Sequence, residues 1–233
     1  MNAIVTGSTK GIGRALVLGL LKEGWNVAVT SRHEADLQQF AQEVKGKFPD
    51  QECLVHAVDF QTKENTIRYA RTMLATWPQI DLLVNNVGIF FPGSVHTEAD
   101  GVLEETMDLN LFSPYHFTRA ILPAMMKRRQ GHIINMCSIA SLISYPNGGA
   151  YTISKFALLG FSKALREEMK PYGIKVTSVM PGATWSGSWE GADYPADRLM
   201  PPEDVAEVIL SSTRLGPSSV VEEILIRPQL GDL

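Results

Sequence analysis

Short apolar runs alternate with helical patterns along nearly the whole chain. Strands are expected at Ala3–Thr6, Asn26–Ser31, Glu52–Val58, Ile80–Asn85, His132–Cys137, Lys175–Met180 and Glu222–Ile226. Several are rich in Val and Ile with little alternation, the pattern of strands covered on both faces. Between them, helical periodicity marks Gly11–Glu23, Glu34–Lys45, Lys63–Thr76, Val102–Arg129, Tyr151–Lys170 and Glu203–Ser211. This rhythm predicts right-handed βαβ crossovers and a three-layer α/β/α, doubly wound parallel sheet of about seven strands. Ligands of such sheets bind beyond the carboxyl ends of the strands, so residues just after each strand become the candidates for chemistry.

The chain has 233 residues and no Pro/Gly/Ser-rich or charged stretch that reads as a linker, so one domain spanning 1–233 is expected. A net charge of −4 gives no electrostatic footprint for nucleic acid or an anionic membrane. Lys127-Arg128-Arg129 is the one local basic cluster, and it reads as a solvated helix end where cations suit the macrodipole. A strand that begins two residues after Met1 leaves no room for a signal or transit peptide, and no apolar run reaches the ~18 residues of a membrane span. Cys53 and Cys137 sit in strands and read as small hydrophobes, not as a disulfide framework. His33, His56, His96, His116 and His132 are scattered without metal-ligand spacing, so no metal is expected. A cytoplasmic location follows from these features.

Strand one runs into Thr6-Gly7-Ser8-Thr9-Lys10-Gly11-Ile12-Gly13, and a helix follows at Arg14-Ala15-Leu16. Glycines there permit a tight turn and close backbone approach to a pyrophosphate seated at a helix N-terminus. The spacing is Gly-x-x-x-Gly-x-Gly. An NAD-type site offers a carboxylate to the ribose about 20 residues further on. Strand two instead ends Thr30-Ser31-Arg32-His33, with no acid until Glu34. Arg32 suits a 2′-phosphate, with Lys10 as a second positive charge, and this favours NADP(H); the alternative is a solvated loop arginine. Asp59 ends strand three and either accepts a hydrogen bond from adenine or caps the next helix, a role for which Thr62 competes.

Tyr151-Thr152-Ile153-Ser154-Lys155 sets a phenol and an ammonium four residues apart on one helical face. A free tyrosine, with a pKa of about 10, is a poor proton donor and acceptor near neutrality; a neighbouring cation favours its phenolate. Ser138 follows a strand and is placed to hydrogen-bond a substrate oxygen. Asn110 is an amide within an otherwise apolar helical run and needs a partner.

Together these residues resemble the short-chain dehydrogenase/reductase family, in its single-domain branch. The glycine motif matches from Thr6 to Gly13, and Asn85-Asn86-Val87-Gly88 stands where the family has Asn-Asn-Ala-Gly. Asn110, Ser138, Tyr151 and Lys155 fall in the family's order, and Pro181-Gly182 follows strand six. The match runs from about residue 2 to 185. The resemblance implies a Rossmann fold and an NADP(H)-dependent oxidoreductase acting on a carbonyl or alcohol. Tyr151 would protonate the carbonyl oxygen, Ser138 would orient it, and Lys155 would bind the nicotinamide ribose and favour the phenolate. Asn110 would hold a water that links Lys155 to solvent. Asn86, Gly88, Pro181 and Gly182 would contact the cofactor, and Thr184 and Ser186 compete for the nicotinamide carboxamide. Val87 departs from the family's alanine and adds bulk near adenine.

Substrate identity is expected to reside in Ile89–Thr97, Ile139–Ala150 and Trp185–Met200, whose Phe90, Phe91, Tyr145, Trp185, Trp189 and Tyr194 offer an apolar lining, or else close the core or a subunit contact. A small or medium apolar ketone or aldehyde fits that surface. The family commonly pairs the helices at Val102–Arg129 and Tyr151–Lys170 between subunits, so the resemblance implies a homodimer or homotetramer; a C-terminus without the glycine-rich ending of many members weighs against assuming the tetramer. Two other readings remain at this point. One is a catalytically idle NADP-binding sensor, opposed by the intact Ser138–Tyr151–Lys155 set. The other is an epimerase or dehydratase, whose substrate domain this length does not provide.

Overall fold

The computed structural model describes residues 1–186, 195 and 198–231. Seven strands form one parallel sheet: β1 (Asn2–Val5), β2 (Asn26–Ser31), β3 (Cys53–Ala57), β4 (Leu82–Asn85), β5 (Gly131–Met136), β6 (Ile174–Pro181) and β7 (Glu223–Ile226). Their order across the sheet is β3-β2-β1-β4-β5-β6-β7. The chain therefore winds one way from β1 to β3, then crosses back and winds the other way, and the direction reverses between β1 and β4. A crevice at the carboxyl ends of those two strands is where such a sheet receives ligands.

The helices are α1 (Gly11–Lys22), α2 (Glu34–Val44), α3 (Lys63–Thr76), α4 (Val102–Met107), α5 (Ser113–Arg128), α6 (Gly149–Met169) and α7 (Pro202–Thr213). Successive strand residues point to opposite layers. Ala3, Val5, Val27, Val29, Leu82 and Val84 pack with α1, α2 and α7, whereas Ile4, Ala28 and Leu83 pack with α3, α5 and α6. Both faces are covered, which is why the strands read as near-continuous apolar runs.

Two features depart from the expected pattern. The helix expected over Val102–Arg129 is interrupted by a π-helical turn at Asp108–Phe112, between α4 and α5. Within the core, a buried polar ladder crosses from sheet to helices. Asn85 Nδ2 donates to Thr118 Oγ1 (2.9 Å) and Asn135 Oδ1 (2.7 Å), and Asn135 Nδ2 donates to Ser162 Oγ (2.8 Å).

At the amino ends of the strands, Asp81 takes hydrogen bonds from the Asn2 backbone (2.9 Å) and from Arg128 (2.6 Å). The basic cluster at the end of α5 thus fastens the sheet, with Arg129 bonded to the Pro171 carbonyl. Both cysteines are free. Burial pushes the Cys53 thiol up to about 11 and raises that of Cys137 as well, so both stay protonated and inert. Among the described residues, no helix is long and apolar enough to cross a membrane, and no group of His, Cys, Asp and Glu has the arrangement of a metal site.

Candidate active site

The loop between β1 and α1 is built around what its glycines allow. Gly7 and Gly11 adopt φ of 60° and 54°, where a Cβ is strained. At Gly13 a Cβ would lie 2.5 Å from Asn86 Nδ2 and 2.9 Å from the Gly7 carbonyl oxygen. Asn86 occupies that space because its amide donates to the carbonyls of Thr6 (2.9 Å) and Gly7 (2.8 Å). Thr6, which sequence reasoning did not single out, completes the tie: its hydroxyl oxygen accepts from the backbone of Asn86 (2.9 Å) and Val87 (3.0 Å). Val87 packs against Gly7, so the bulkier residue is absorbed where Gly7 has no side chain. No side chain caps α1 and its first turn holds no acidic residue, which leaves its N-terminal N–H groups and positive dipole end open to an anion.

Ser8 is placed differently from the rest of the motif. It is fully buried, and its hydroxyl donates to the Val5 carbonyl at 2.7 Å, so its side chain fastens the loop from within. Thr9, Lys10 and Ile12 lie at the loop surface or partly buried beside it. Lys10 pairs with Asp36 at 3.4 Å. Arg32 lies exposed just past β2 and makes no ion pair among the described residues. Asp59 accepts from the Gln61 N–H (3.1 Å), while Thr62 accepts from the Asn65 N–H (3.3 Å) and is the cap of α3. That leaves Asp59 an exposed carboxylate with one oxygen uncommitted.

Beyond β6, Pro181 is buried and Gly182 donates to the Ile226 carbonyl (2.8 Å). The Thr184 hydroxyl turns back onto the Gly182 carbonyl (2.9 Å). Ser186 crosses over the glycine loop, its Cβ 3.3 Å from where a Gly11 side chain would begin. A cavity of about 420 Å³ lies on this flank, bordered by Lys10, Gly11, Asp36, Trp185 and Ser186. Trp189 and Tyr194 lie outside the described residues.

The four residues singled out for chemistry come together at the carboxyl ends of β4 and β5. Lys155 is 5% exposed, and its ammonium donates to the Met136 carbonyl (2.7 Å) and lies 5.6 Å from the centre of the Tyr151 ring. Ser138 caps a short 3₁₀ turn over Ile139–Ser141, accepting from the Ala140 N–H (3.1 Å). Its own proton therefore stays available to a further acceptor. The Tyr151 hydroxyl has no partner among the described residues.

Asn110 is fully buried at the middle of the π-helical turn, the kind of helical irregularity found at functional sites. Its Oδ1 accepts from the Ile89 N–H (2.8 Å), and its Nδ2 donates to the Ile89 carbonyl (2.9 Å) and Ser154 Oγ (3.0 Å). Both amide protons are thus used within the protein. A Cβ at Gly88 would meet Asn110 Oδ1 at 3.2 Å and Lys155 Nζ at 3.6 Å, so this glycine lets the two side chains share one corner.

Aromatic residues wall the mouth. The Phe90 ring meets the Tyr151 ring edge-on at 5.1 Å. Tyr145 sits near enough that the Tyr151 phenol adds to burial in pushing the Tyr145 phenol up, so it stays protonated across ordinary pH. Phe91 is half-buried, and Trp185 is exposed.

The sequence and the fold have relatives among known proteins. The chain is 32% identical over 223 residues to dehydrogenase/reductase SDR family member 7B of Xenopus tropicalis, covering 89% of this chain and 72% of that protein. It is 27% identical over 238 residues to sepiapterin reductase of Chlorobaculum tepidum, covering 99% and 97%. A solved metagenomic short-chain oxidoreductase in complex with NADP superposes with a TM-score of 0.86 at 31% identity, covering 98% and 97% of the two chains. The sequence profile of short chain dehydrogenases matches residues 1–193. With most of its length accounted for in this way, the chain belongs to the short-chain dehydrogenase/reductase family of oxidoreductases.

Proposed function

We propose that the chain is a cytoplasmic NADP(H)-dependent enzyme that interconverts a ketone or aldehyde and an alcohol, with Tyr151 as general acid and base. The observation that carries this reading is the convergence on one crevice of a Tyr151 hydroxyl and a Ser138 proton that have no hydrogen-bond partner among the described residues, together with a buried Lys155 ammonium. The solved relative with 31% identity holds NADP, and two others at 25% identity are a serine dehydrogenase with NADP⁺ and an L-sorbose reductase with NADPH and L-sorbose.

The residues present fit a phosphorylated dinucleotide. The uncapped start of α1 and the side-chain-free corner at Gly13 suit a pyrophosphate, with Gly7, Gly11 and Ile12 completing the turn. Arg32 would take the 2′-phosphate through its planar fork. Asp59 would face adenine, Asn86 and Gly88 the adjoining ribose, and Pro181, Gly182, Thr184 and Ser186 the nicotinamide end. When bound, the nicotinamide supplies or receives hydride.

The chain's own residues manage the proton. Ser138 donates a hydrogen bond to the substrate oxygen and fixes its direction. Tyr151 gives its phenolic proton to that oxygen as charge develops there. Lys155, held by the Met136 carbonyl, favours the phenolate left behind. Asn110 retains one lone pair on Oδ1 for a water that returns a proton towards Lys155. Phe90, Phe91, Tyr145 and Trp185 would select a small or medium apolar substrate. Exposed Leu103, Phe112, Ile153 and Phe156 lie on α4, α6 and the turn between α4 and α5, and they support a homodimer through those helices.

The test is NADPH oxidation across a panel of ketones, aldehydes and quinones, with Tyr151→Phe beside the native chain. Turnover should fall by roughly 10²–10⁴ while NADPH affinity holds. Substantial turnover by Tyr151→Phe would move the acid elsewhere. Tight NADPH binding with no turnover by the native chain would favour a cofactor sensor.

A further inference from the structure

We infer that Glu98 is a positioning residue that holds the first turn of α6, and with it Tyr151, in register with the rest of the site. The inference rests on the reductase reading of Tyr151. Helix α6 begins without a side-chain cap, because the residue at its N-cap is Gly148. The missing acceptor comes from a different loop: Glu98 Oε1 accepts from the Ala150 N–H at 2.9 Å, a contact between residues 52 apart in the chain. Ala150 immediately precedes Tyr151.

Two glycines make room for this carboxylate. A Cβ on Gly149 would stand closer than 3.0 Å to Glu98 Oε1 and 2.8 Å from its Cδ. A Cβ on Gly93 would stand 2.7 Å from Glu98 Cγ. Neither glycine has a positive φ, so backbone conformation does not require either one. What requires them is the space that Glu98 fills.

The same loop is tied to the segment before α6 by backbone. Gly93 N–H donates to the Asn147 carbonyl (3.0 Å), and Gly149 N–H donates to the Gly93 carbonyl (2.9 Å). Glu98 is steadied by its own N–H, which bonds to the Ser94 carbonyl at 2.9 Å. Three residues upstream of Gly93, Phe90 packs edge-on against the Tyr151 ring. One loop therefore grips the catalytic residue twice, at its ring through Phe90 and at its helical turn through Glu98. A misplacement of about 1 Å in a reacting group can reduce rate by up to ~10²-fold, so this grip bears on turnover.

The experiment compares the native chain with Glu98→Ala, Glu98→Gln, Gly149→Ala and the double variant Glu98→Ala/Gly149→Ala. Measured quantities are kcat, KM, NADPH affinity and amide hydrogen exchange at residues 150–152. Glu98→Ala should lower kcat roughly 10- to 100-fold with NADPH affinity within about twofold, and should speed exchange at those amides. Glu98→Gln keeps an oxygen acceptor and should restore both. Gly149→Ala should mimic Glu98→Ala by displacing the carboxylate, yet cause no further loss in the double variant. A Glu98→Ala chain with native kcat, a Glu98→Gln chain as slow as Glu98→Ala, or additive losses in the double variant would each overturn the inference. A native chain that reduces no carbonyl would sink the reductase reading by itself, and the exchange rates would still decide whether Glu98 holds the turn.

Discussion

Lowering the pH from 7 to 5 should destabilise this protein through one histidine far from the candidate site. His132 is buried near the start of β5, where its Nε2 lies 2.7 Å from Thr177 Oγ1. The Thr177 hydroxyl donates to the Val221 carbonyl at 2.6 Å, so it accepts from His132, and the neutral ring carries its proton on Nε2. Burial, with Lys175 as a lesser cause, brings the His132 pKa down from 6.5 to about 3. A neutral ring in the folded state and a protonated one in the unfolded chain mean that stability is full above pH 6.5. It is lost as pH falls towards 3 and changes no further below that. At pH 5 the unfolded chain lies about 1.5 pH units below its histidine pKa, which amounts to ~2 kcal/mol. Against a typical total of about 5–15 kcal/mol this is measurable. Urea unfolding of the native chain and of His132→Gln at both pH values isolates the effect, because Gln can donate to Thr177 without titrating. His56 and His116, whose pKa values burial also lowers, are present in both proteins and cancel. The native chain should lose ~2 kcal/mol more than the variant between pH 7 and 5. Equal losses would refute the assignment of a buried neutral His132.

Gly13→Ala should weaken NADPH binding at least about tenfold and lower stability by ~1–3 kcal/mol, because its Cβ meets the Asn86 amide and the Gly7 carbonyl oxygen; calorimetric titration and thermal melting would show it, and native affinity would mean that the loop opens freely. Arg32→Ala should reduce NADPH affinity by roughly 10- to 100-fold and leave NADH affinity nearly unchanged, the scale of a charged hydrogen bond; equal losses for the two nucleotides would remove Arg32 from the 2′-phosphate.

The fold was legible because each strand carries a dense apolar run and each helix a clear period. The order of the candidate site residues was legible because Ser138, Tyr151 and Lys155 lie close together in sequence. What stayed hidden depends on contacts between distant segments. Asn110 stood out as an amide in an apolar run, but the π-helical turn that turns it towards Ile89 leaves no mark in a periodicity of 3.6. Ser8 belongs to the glycine motif, and only the folded chain reveals that its hydroxyl points into the core. Asp59 reads in the sequence either as an adenine contact or as a helix cap with Thr62 as rival, and only the folded geometry gives the cap of α3 to Thr62. Glu98 escaped notice altogether, since its partner lies 52 residues away and the visible traces were two unremarkable glycines.

The buried polar ladder has a consequence for how the sheet is assembled. Strand β5 is apolar on both faces, with Ile133 on one and Ile134 on the other, so sliding it one residue along β4 would exchange one greasy surface for another. Hydrophobicity alone cannot reject that error. Asn85 lies opposite Asn135 in the native pairing. A slip would break the Asn85–Asn135 and Asn135–Ser162 bonds and leave the Asn135 amide without partners in a dry interior, at about 1–3 kcal/mol for each group left unpaired. The ladder therefore acts as a proofreading key for the alignment of β5. Because Ser138 lies two residues past the end of that strand, the same key sets how far the hydroxyl extends towards Tyr151 and Lys155.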